Sequence, residues 1–148
     1  MRPKIKNNTI LLVEDDAAEV ALARQACGVC DPPIELVVMH NSEEALAWIA
    51  QQMVAGITLP RLLLLDLKLP KLAGLAVLRK LRLDQRTLDM PIVTFSAIHE
   101  PADIVMSYRV GANSFVGKPS NLDEYRTLMQ ELVGYWFQPR QRELALLR

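Results

Sequence analysis

The sequence contains few of the residues that characterise secreted, fibrous or low-complexity chains. Its 148 residues include two cysteines, six glycines and nine prolines. Two cysteines are too few for a disulfide-dense secreted scaffold, and so little glycine and proline excludes a collagen-like or linker-like chain. Apolar residues make up 51% of the chain, which is too large a share for a disordered protein. We therefore expect a chain that folds around its own apolar core without disulfides or a structural metal.

The chain also lacks an excess of either charge and lacks a long apolar segment. Seventeen Lys and Arg residues balance seventeen Asp and Glu residues, whereas a nucleic-acid-binding module usually has a basic excess or stripe. No apolar run approaches the ~18 residues of a membrane span, and residues 10–13 are too short for the core of a signal peptide. We therefore expect a cytoplasmic protein with reduced cysteines and with neither a membrane nor a nucleic acid as partner.

The length of the chain suits a single domain, since domains average about 100–200 residues. We expect an N-terminal extension over residues 1–8, one domain over residues 9–138 and a C-terminal tail over residues 139–148. No internal repeat, low-complexity segment or linker divides the central part.

Five short apolar runs alternate with longer stretches that have helical spacing. The runs occupy residues 10–13, 34–39, 62–65, 92–95 and 114–116. The third run is four leucines, which is too short for a helix and typical of a strand that is buried on both faces. The alternation predicts an α/β fold with a five-stranded parallel sheet and helices on both faces, the doubly wound, flavodoxin-like (βα)5 arrangement.

Capping residues mark the starts of several predicted helices. The first helix is predicted over Ala17–Cys27, after three acidic residues that can also cap it. Asn41 or Ser42 can cap the second helix, and Asn121 can cap the last. The fourth helix, predicted over residues 102–110, is short and only weakly patterned.

Residues that can bind a metal or a phosphoryl group follow the predicted strands. Glu14 and Asp15 follow the first strand, Asp66 the third, Ser96 the fourth and Lys118 the fifth. In an open parallel sheet, ligands bind beyond the carboxyl ends of the strands. Crowded carboxylates favour a divalent cation such as Mg²⁺, which takes oxygen ligands and binds together with phosphoryl oxygens. A carboxylate such as Asp66 can itself be the nucleophile and form an aspartyl phosphate.

These motifs and their order resemble the receiver domain of two-component response regulators over about residues 9–133. Four segments match the family pattern in order, namely Glu14-Asp15, Asp66 to Gly74, Ser96-Ala97 and Lys118-Pro119. One such motif is a weak signal, whereas four motifs that each follow their own strand form a strong one.

The resemblance implies that Asp66 accepts a phosphoryl group from a histidine kinase. It implies a Mg²⁺ site formed by Asp15, Asp66 and the backbone carbonyl of Lys68, with Glu14 assisting through water. The side chain of Lys68 departs from the family average, and its ammonium group could pair with the phosphoryl group or with Glu14.

The resemblance also implies a switch beside the phosphoacceptor. Ser96 and Lys118 would contact the phosphate, and Phe115 occupies the position of the family's aromatic switch residue. The peptide bond between Lys118 and Pro119 is cis in the family.

Other functions fit parts of the sequence. A haloacid-dehalogenase-type phosphatase also uses a nucleophilic Asp, but it needs a second Asp two residues later, where this chain has Lys68. A degenerate receiver would act only through its interface, and the complete set of motif residues argues against it.

Cys27 and Cys30 form the C-x-x-C pattern of a thiol-redox protein. Their place at the end of the first predicted helix does not favour a low-pKa thiolate, because such a thiolate is stabilised at a helix N-terminus.

The last helix carries a wider apolar stripe than a helix needs to pack on one sheet face. We expect this excess to form a homodimer interface, with the candidate residues Tyr125, Leu128, Val133, Tyr135, Trp136 and Phe137. In the alternative interpretation, the aromatic residues cover the edge of their own domain.

The aromatic tail and the segment after Lys118 also resemble single-domain regulators that act with phytochrome kinases and form homodimers. We expect a signalling module without an attached output domain rather than a stand-alone enzyme.

Overall fold

A computed structural model describes residues 8–56, 58–69, 74–97 and 100–137. These residues form one parallel sheet with the strand order β2-β1-β3-β4-β5. The elements in chain order are β1 (Thr9–Val13), α1 (Ala17–Cys27), β2 (Glu35–Met39), α2 (Ser42–Val54), β3 (Leu62–Asp66), α3 (Gly74–Leu83), β4 (Ile92–Ser96), α4 (Pro101–Val110), β5 (Ser114–Gly117) and α5 (Leu122–Trp136). The predicted fold class is confirmed. Residues 1–7 and the predicted tail, 139–148, lie outside the described residues.

The three central strands are buried along their whole length, as the continuous apolar runs predict. All five residues of β1, of β3 and of β4 are buried, whereas the edge strands β2 and β5 are only partly covered. The register pairs Val13 with Leu65, Asp66 with Phe95, and Ser96 with Gly117. The carboxyl ends of β1, β3, β4 and β5 therefore lie side by side along one edge of the sheet.

Two apolar cores lie on opposite faces of the sheet. Residues of α1 and α5, including Ala23, Met129 and Leu132, pack on one face against side chains such as Leu64 and Phe95. Residues of α2 and α3 pack on the other face. The predicted helix starts are confirmed, with Asp16, Asn41 and Asn121 as N-caps of α1, α2 and α5. No helix among the described residues is long and apolar enough to cross a membrane.

The helix α4 differs from the others because its one buried side chain is polar. Ser107 is fully buried, and its hydroxyl oxygen lies 2.6 Å from the hydroxyl oxygen of Thr94 in β4. Val105, Met106 and Tyr108 are exposed on the same helix. This explains the weak apolar pattern in the sequence: α4 is anchored to the sheet through a hydroxyl pair rather than through an apolar stripe.

The prediction that the wide apolar face of α5 is left free is wrong for most of the named residues. Tyr125, Leu128, Val133 and Phe137 are buried within their own chain, while Tyr135 is 57% exposed. The physical reason is that α5 packs against α1 as well as against the sheet, so that two surfaces cover its apolar side. Trp136 also packs partly against this core, as the alternative interpretation of the aromatic residues predicts.

Candidate functional site

The strand ends bring three acidic side chains together. Carboxylate oxygens of Glu14, Asp15 and Asp66 all lie within 4.8 Å of one another. Glu14 and Asp66 are buried, and Asp15 is exposed to solvent. The donor atoms are all carboxylate oxygens, which suit a hard divalent cation such as Mg²⁺ better than a soft metal. The cluster therefore fits the metal that the sequence implies.

The three consecutive acidic residues after β1 have different roles. The Glu14 carboxylate accepts hydrogen bonds from the backbone N–H groups of Asp15 at 3.0 Å and Asp16 at 3.4 Å. The Asp16 carboxylate instead accepts from Ala18 at 2.8 Å and Glu19 at 3.4 Å, which caps α1. The capping interpretation of the acidic run thus holds for Asp16, whereas Glu14 and Asp15 belong to the acidic cluster.

Lys118 supplies a positive charge between the two buried carboxylates. Its ammonium group forms an ion pair with Glu14 and lies 3.2 Å from Oδ2 of Asp66. It also lies 5.3 Å from the ring centre of Phe95, which packs beneath it. Burial alone would lower the pKa of Lys118, but the two carboxylates outweigh burial and raise this pKa above its usual value. Lys118 is therefore a fixed cation in the site.

Glu14 is held in a setting that disfavours its charge. Burial raises its pKa to about 8, the nearby carboxylate of Asp66 adds to the increase, and Lys118 opposes it. The ordinary value is 4.5. Two carboxylates and one ammonium group thus share a region from which water is largely excluded, so that an additional cation would be favourable there.

Asp66 is nearly fully buried at the end of β3, and both of its carboxylate oxygens have hydrogen-bond partners. Its Oδ1 accepts a hydrogen bond of 2.9 Å from the backbone N–H of Lys68. The backbone of Lys68 therefore lies next to the carboxylate. The Lys68 ammonium group does not pair with Glu14, which pairs with Lys118, and lies 3.8 Å from a carboxylate oxygen of Asp103 in α4. Its pairing with the phosphoryl group stays a prediction.

Gly74, the first residue of α3, is required by a close contact with the phosphoacceptor segment. A Cβ atom at this position would lie 2.5 Å from the backbone oxygen of Asp66 and 2.7 Å from Cα of Leu67. The Gly74 N–H also donates a 3.1 Å hydrogen bond to the carbonyl of Leu67. The glycine of the matched segment thus allows α3 to begin directly against the backbone that carries Asp66.

The predicted switch residues lie on two neighbouring strands, Ser96 at the end of β4 and Phe115 near the start of β5. Ser96 is fully buried, and its carbonyl accepts a 3.0 Å hydrogen bond from the N–H of Lys118. Phe115 is partly buried on β5, and its N–H donates to the hydroxyl of Tyr108 in α4 at 3.2 Å. Tyr108 and Asp103 cannot be predicted from the sequence, because no motif indicates which residues of α4 contact the site.

One prediction from the resemblance is not met at the site. The peptide bond before Pro119 is not cis, and the cis bond within the described residues precedes Pro32. The trans isomer is the lower-energy form of an X–Pro bond by about 0.5–1 kcal/mol.

The surroundings of the two cysteines disfavour a reactive thiol pair. Both are buried and free, and the thiol of Cys30 donates to the carbonyl of Ala26 at 3.6 Å. Burial raises the pKa of Cys27 to about 12, and it also raises the pKa of Cys30. A nucleophilic thiol needs a lowered pKa, so the surroundings of these residues disfavour the thiol-redox alternative.

Comparisons with known proteins agree with this fold. The model of the response regulator receiver domain matches residues 10–130. The chain is 29% identical to the response regulator Rcp1 of Synechocystis sp. over 130 residues, which is 87% of this chain and 88% of that protein. It is also similar to the crystal structure of the phosphorylated cyanobacterial phytochrome response regulator RcpA, with a TM-score of 0.80, 30% identity, and coverage of 90% of this chain and 96% of that one.

A third similar structure is the bacteriophytochrome response regulator AtBRR, with 33% identity, a TM-score of 0.70, and coverage of 88% of this chain and 96% of that one. The Mn²⁺-bound form of Rcp1 has a TM-score of 0.77 at 28% identity, and it covers 89% of this chain and 96% of that one. The five-stranded sheet, the acidic cluster and the family match lead to one conclusion: the chain belongs to the response regulator receiver domain family.

Proposed function

We propose that Asp66 is the phosphoacceptor of this response regulator and that a histidine kinase supplies the phosphoryl group. The observation that carries the proposal is the setting of Asp66. It is a buried carboxylate with Lys118 at 3.2 Å and with the Asp15 carboxylate in the same acidic cluster. Such a setting lets one carboxylate act as the nucleophile while neighbouring groups balance the charge of the transferred group.

The transfer requires a simple exchange of bonds. A carboxylate oxygen of Asp66 forms an O–P bond while the P–N bond to the kinase's histidine breaks, and the imidazole keeps that electron pair and takes up a proton. Lys118 already contacts Oδ2 of Asp66 and lies within reach of the incoming phosphoryl oxygens. Asp15, Asp66, the backbone carbonyl of Lys68, and Glu14 through water would hold Mg²⁺. When bound, the metal supplies positive charge against the phosphoryl oxygens.

Phosphorylation would reorganise contacts that connect the site to α4. The phosphoryl group carries negative charge that competes with Glu14 for the ammonium of Lys118, and Ser96 at the end of β4 offers a hydroxyl to its oxygens. The backbone of Lys118 is bonded to Ser96, and the neighbouring strand carries Phe115, whose N–H is bonded to Tyr108 of α4. This arrangement supports a role as a signalling switch rather than as a stand-alone enzyme.

The partners follow from the relatives. RcpA is described as a phytochrome response regulator and AtBRR as a bacteriophytochrome response regulator. We infer that the kinase of this chain is a phytochrome and that the protein acts in the cytoplasm.

We also propose that the protein forms a homodimer through the C-terminal end of α5. Tyr135 is exposed there, and its ring stands edge-on to Trp136 with 4.7 Å between the ring centres. These rings line a groove together with Val116, Leu128 and Leu132, among others. A two-fold contact would let this surface cover its own copy. The buried residues Tyr125, Val133 and Phe137 contribute to the interface only by supporting it.

Sedimentation across a dilution series tests the dimer. We expect a concentration-dependent dimer that Tyr135→Glu weakens, because the charge would be buried in an apolar contact. Leu83→Glu is the matched control, since Leu83 is also an exposed apolar residue but lies on α3. A wild-type protein that stays monomeric at high micromolar concentration would contradict the dimer.

The phosphoacceptor assignment is tested with acetyl phosphate and Mg²⁺, followed by intact mass measurement. We expect one phosphoryl group on the wild-type protein and none on Asp66→Asn, which keeps the shape of the side chain but removes the nucleophilic oxygen. Asp123→Asn is the control, because Asp123 is a solvent-exposed carboxylate. A wild type that takes up no phosphoryl group would favour a degenerate receiver that acts only through its surface.

A further inference from the structure

The helices α1 and α5 each begin shortly after a residue of the proposed site. α1 begins at Ala17, two residues after Asp15, and α5 begins at Leu122, four residues after Lys118. Both helices pack on the same face of the sheet. A shift of one helix against the other can therefore change the separation between the Asp15 carboxylate and the Lys118 ammonium group.

A hydrogen bond between two side chains joins these helices near their first turns. The hydroxyl of Tyr125 in α5 donates to a carboxylate oxygen of Glu19 in α1. The Tyr125 side chain is 1% exposed, whereas Glu19 is partly exposed. Apolar packing between α1 and α5 tolerates small sliding, but a hydrogen bond to a carboxylate is directional and stronger than a neutral one. This bond therefore fixes the relative position of the two helices.

The bond continues into the turn that carries Asp15. The backbone N–H of Glu19 donates to the Asp16 carboxylate at 3.4 Å, and the N–H groups of Asp16 and Asp15 donate to Glu14. Hydrogen bonds and short stretches of backbone thus connect Tyr125 to Asp15.

We propose that Tyr125 and Glu19 are positioning residues that hold Asp15 at the correct distance from Asp66 and Lys118 for metal binding. This inference rests on the proposed metal site. Neither residue contacts the metal in this proposal, since the bond acts through the start of α1. It gives Tyr125, which is buried within its own chain, a function beyond packing.

The effect is measured as metal affinity with Mn²⁺ as the probe, titrated into the metal-free protein and followed by the loss of its free-ion electron paramagnetic resonance signal. Tyr125→Phe keeps the ring in the core but removes the donor. We expect its dissociation constant for Mn²⁺ to rise by about three- to tenfold, less than the 10–100-fold typical of a group bonded directly to a metal ligand.

Thr127→Val is the matched control on the same helix. It also removes a hydroxyl, but among the described residues the Thr127 hydroxyl bonds only to the carbonyl of Asp123 in its own helix, at 3.1 Å. We expect its Mn²⁺ affinity to equal that of the wild type. Glu19→Gln keeps an oxygen that accepts the hydrogen bond from Tyr125, and we expect its Mn²⁺ affinity to stay within about twofold of the wild type. Glu19→Ala deletes this hydrogen bond, and we expect it to lose as much Mn²⁺ affinity as Tyr125→Phe.

Urea unfolding of each variant separates positioning from stability. If Tyr125→Phe and Glu19→Ala lower stability while their Mn²⁺ affinity equals that of Thr127→Val, the pair is only structural and the inference is overturned. Should Tyr125→Phe fail to fold, the two Glu19 variants carry the test. A wild-type protein that binds no Mn²⁺ would contradict the proposed metal site itself. Equal Mn²⁺ binding by the wild type and the Tyr125 and Glu19 variants would contradict only the positioning role.

Discussion

The ammonium group of Lys118 lies 3.2 Å from Oδ2 of Asp66, although the two residues are 52 positions apart in the chain. The same ammonium group pairs with Glu14, so that one cation serves two buried carboxylates from two other strand ends. The parallel register, rather than local sequence, creates this contact. It offsets part of the negative charge of the acidic cluster in the absence of a metal or a phosphoryl group.

Removal of Lys118 should expose the dependence of the metal-free fold on this cation. Lys118→Met removes the cation that the buried Glu14 and Asp66 carboxylates share, and we expect a loss of about 3 kcal/mol of unfolding free energy at a pH above 8, the approximate folded-state pKa of Glu14. Adding Glu14→Gln should recover a large part of this loss, because only one buried carboxylate then remains. Urea unfolding of the two single variants and the double variant measures this coupling, and strictly additive effects would contradict it.

Stability should depend on pH through Glu14. Its folded-state pKa of about 8 lies above the ordinary 4.5, so the folded protein keeps a proton that the unfolded chain releases. Because the folded state binds more protons between these values, the unfolding free energy contributed by Glu14 falls as the pH rises from about 4.5 to about 8. Urea unfolding of metal-free protein across this range should show the decline, and Glu14→Gln should flatten it. An equally steep decline in the variant would assign it to other groups.

Two glycines in helices should respond to alanine in opposite directions. Gly74→Ala places a Cβ atom against the backbone of Asp66, and we expect a loss of about 1–3 kcal/mol together with slower phosphorylation. Gly134→Ala on the exposed side of α5 meets no atom within 4 Å and should add about 0.5–1 kcal/mol. Thermal or urea unfolding of both variants checks the pair. Equal effects of the same sign would be inconsistent with the close contact at Gly74.

The cysteines should be inert in the folded protein. With its pKa raised to about 12 by burial, Cys27 is almost fully protonated at pH values where free thiols react. We expect iodoacetamide to modify neither cysteine of the folded protein, and to modify both in denaturant. Mass measurement reports the difference, and rapid modification of the native protein would revive the thiol-redox alternative.

Much of the fold follows from local sequence signals. The four leucines of residues 62–65 predict a strand buried on both faces, and the Asn residues before α2 and α5 are their caps. The motif residues at strand ends predict which side chains meet, because parallel strands end along one edge. These signals are short-range, and the topology adds only the order of the strands.

Local sequence signals do not predict contacts between side chains of different helices. Tyr125 is part of an apolar stripe in the sequence, and its hydrogen bond to Glu19 depends on how α1 and α5 pack. In the same way, the ion pair of Lys68 with Asp103 depends on where α4 lies. The wide apolar stripe of α5 is visible in the sequence, but most of the residues named for the interface are covered by α1 and the sheet, because periodicity records how much of a helix is apolar and not which partner covers it.

The most direct test of the account is to locate the phosphoryl group. The wild-type protein, phosphorylated with a histidine kinase or with acetyl phosphate and Mg²⁺, is treated with borohydride, which reduces an aspartyl phosphate to homoserine. Peptide mass mapping then identifies the converted residue. The account predicts homoserine at position 66 and at no other position, with no conversion in Asp66→Asn. Conversion of a different Asp, or undiminished phosphorylation of Asp66→Asn, would contradict the central claim.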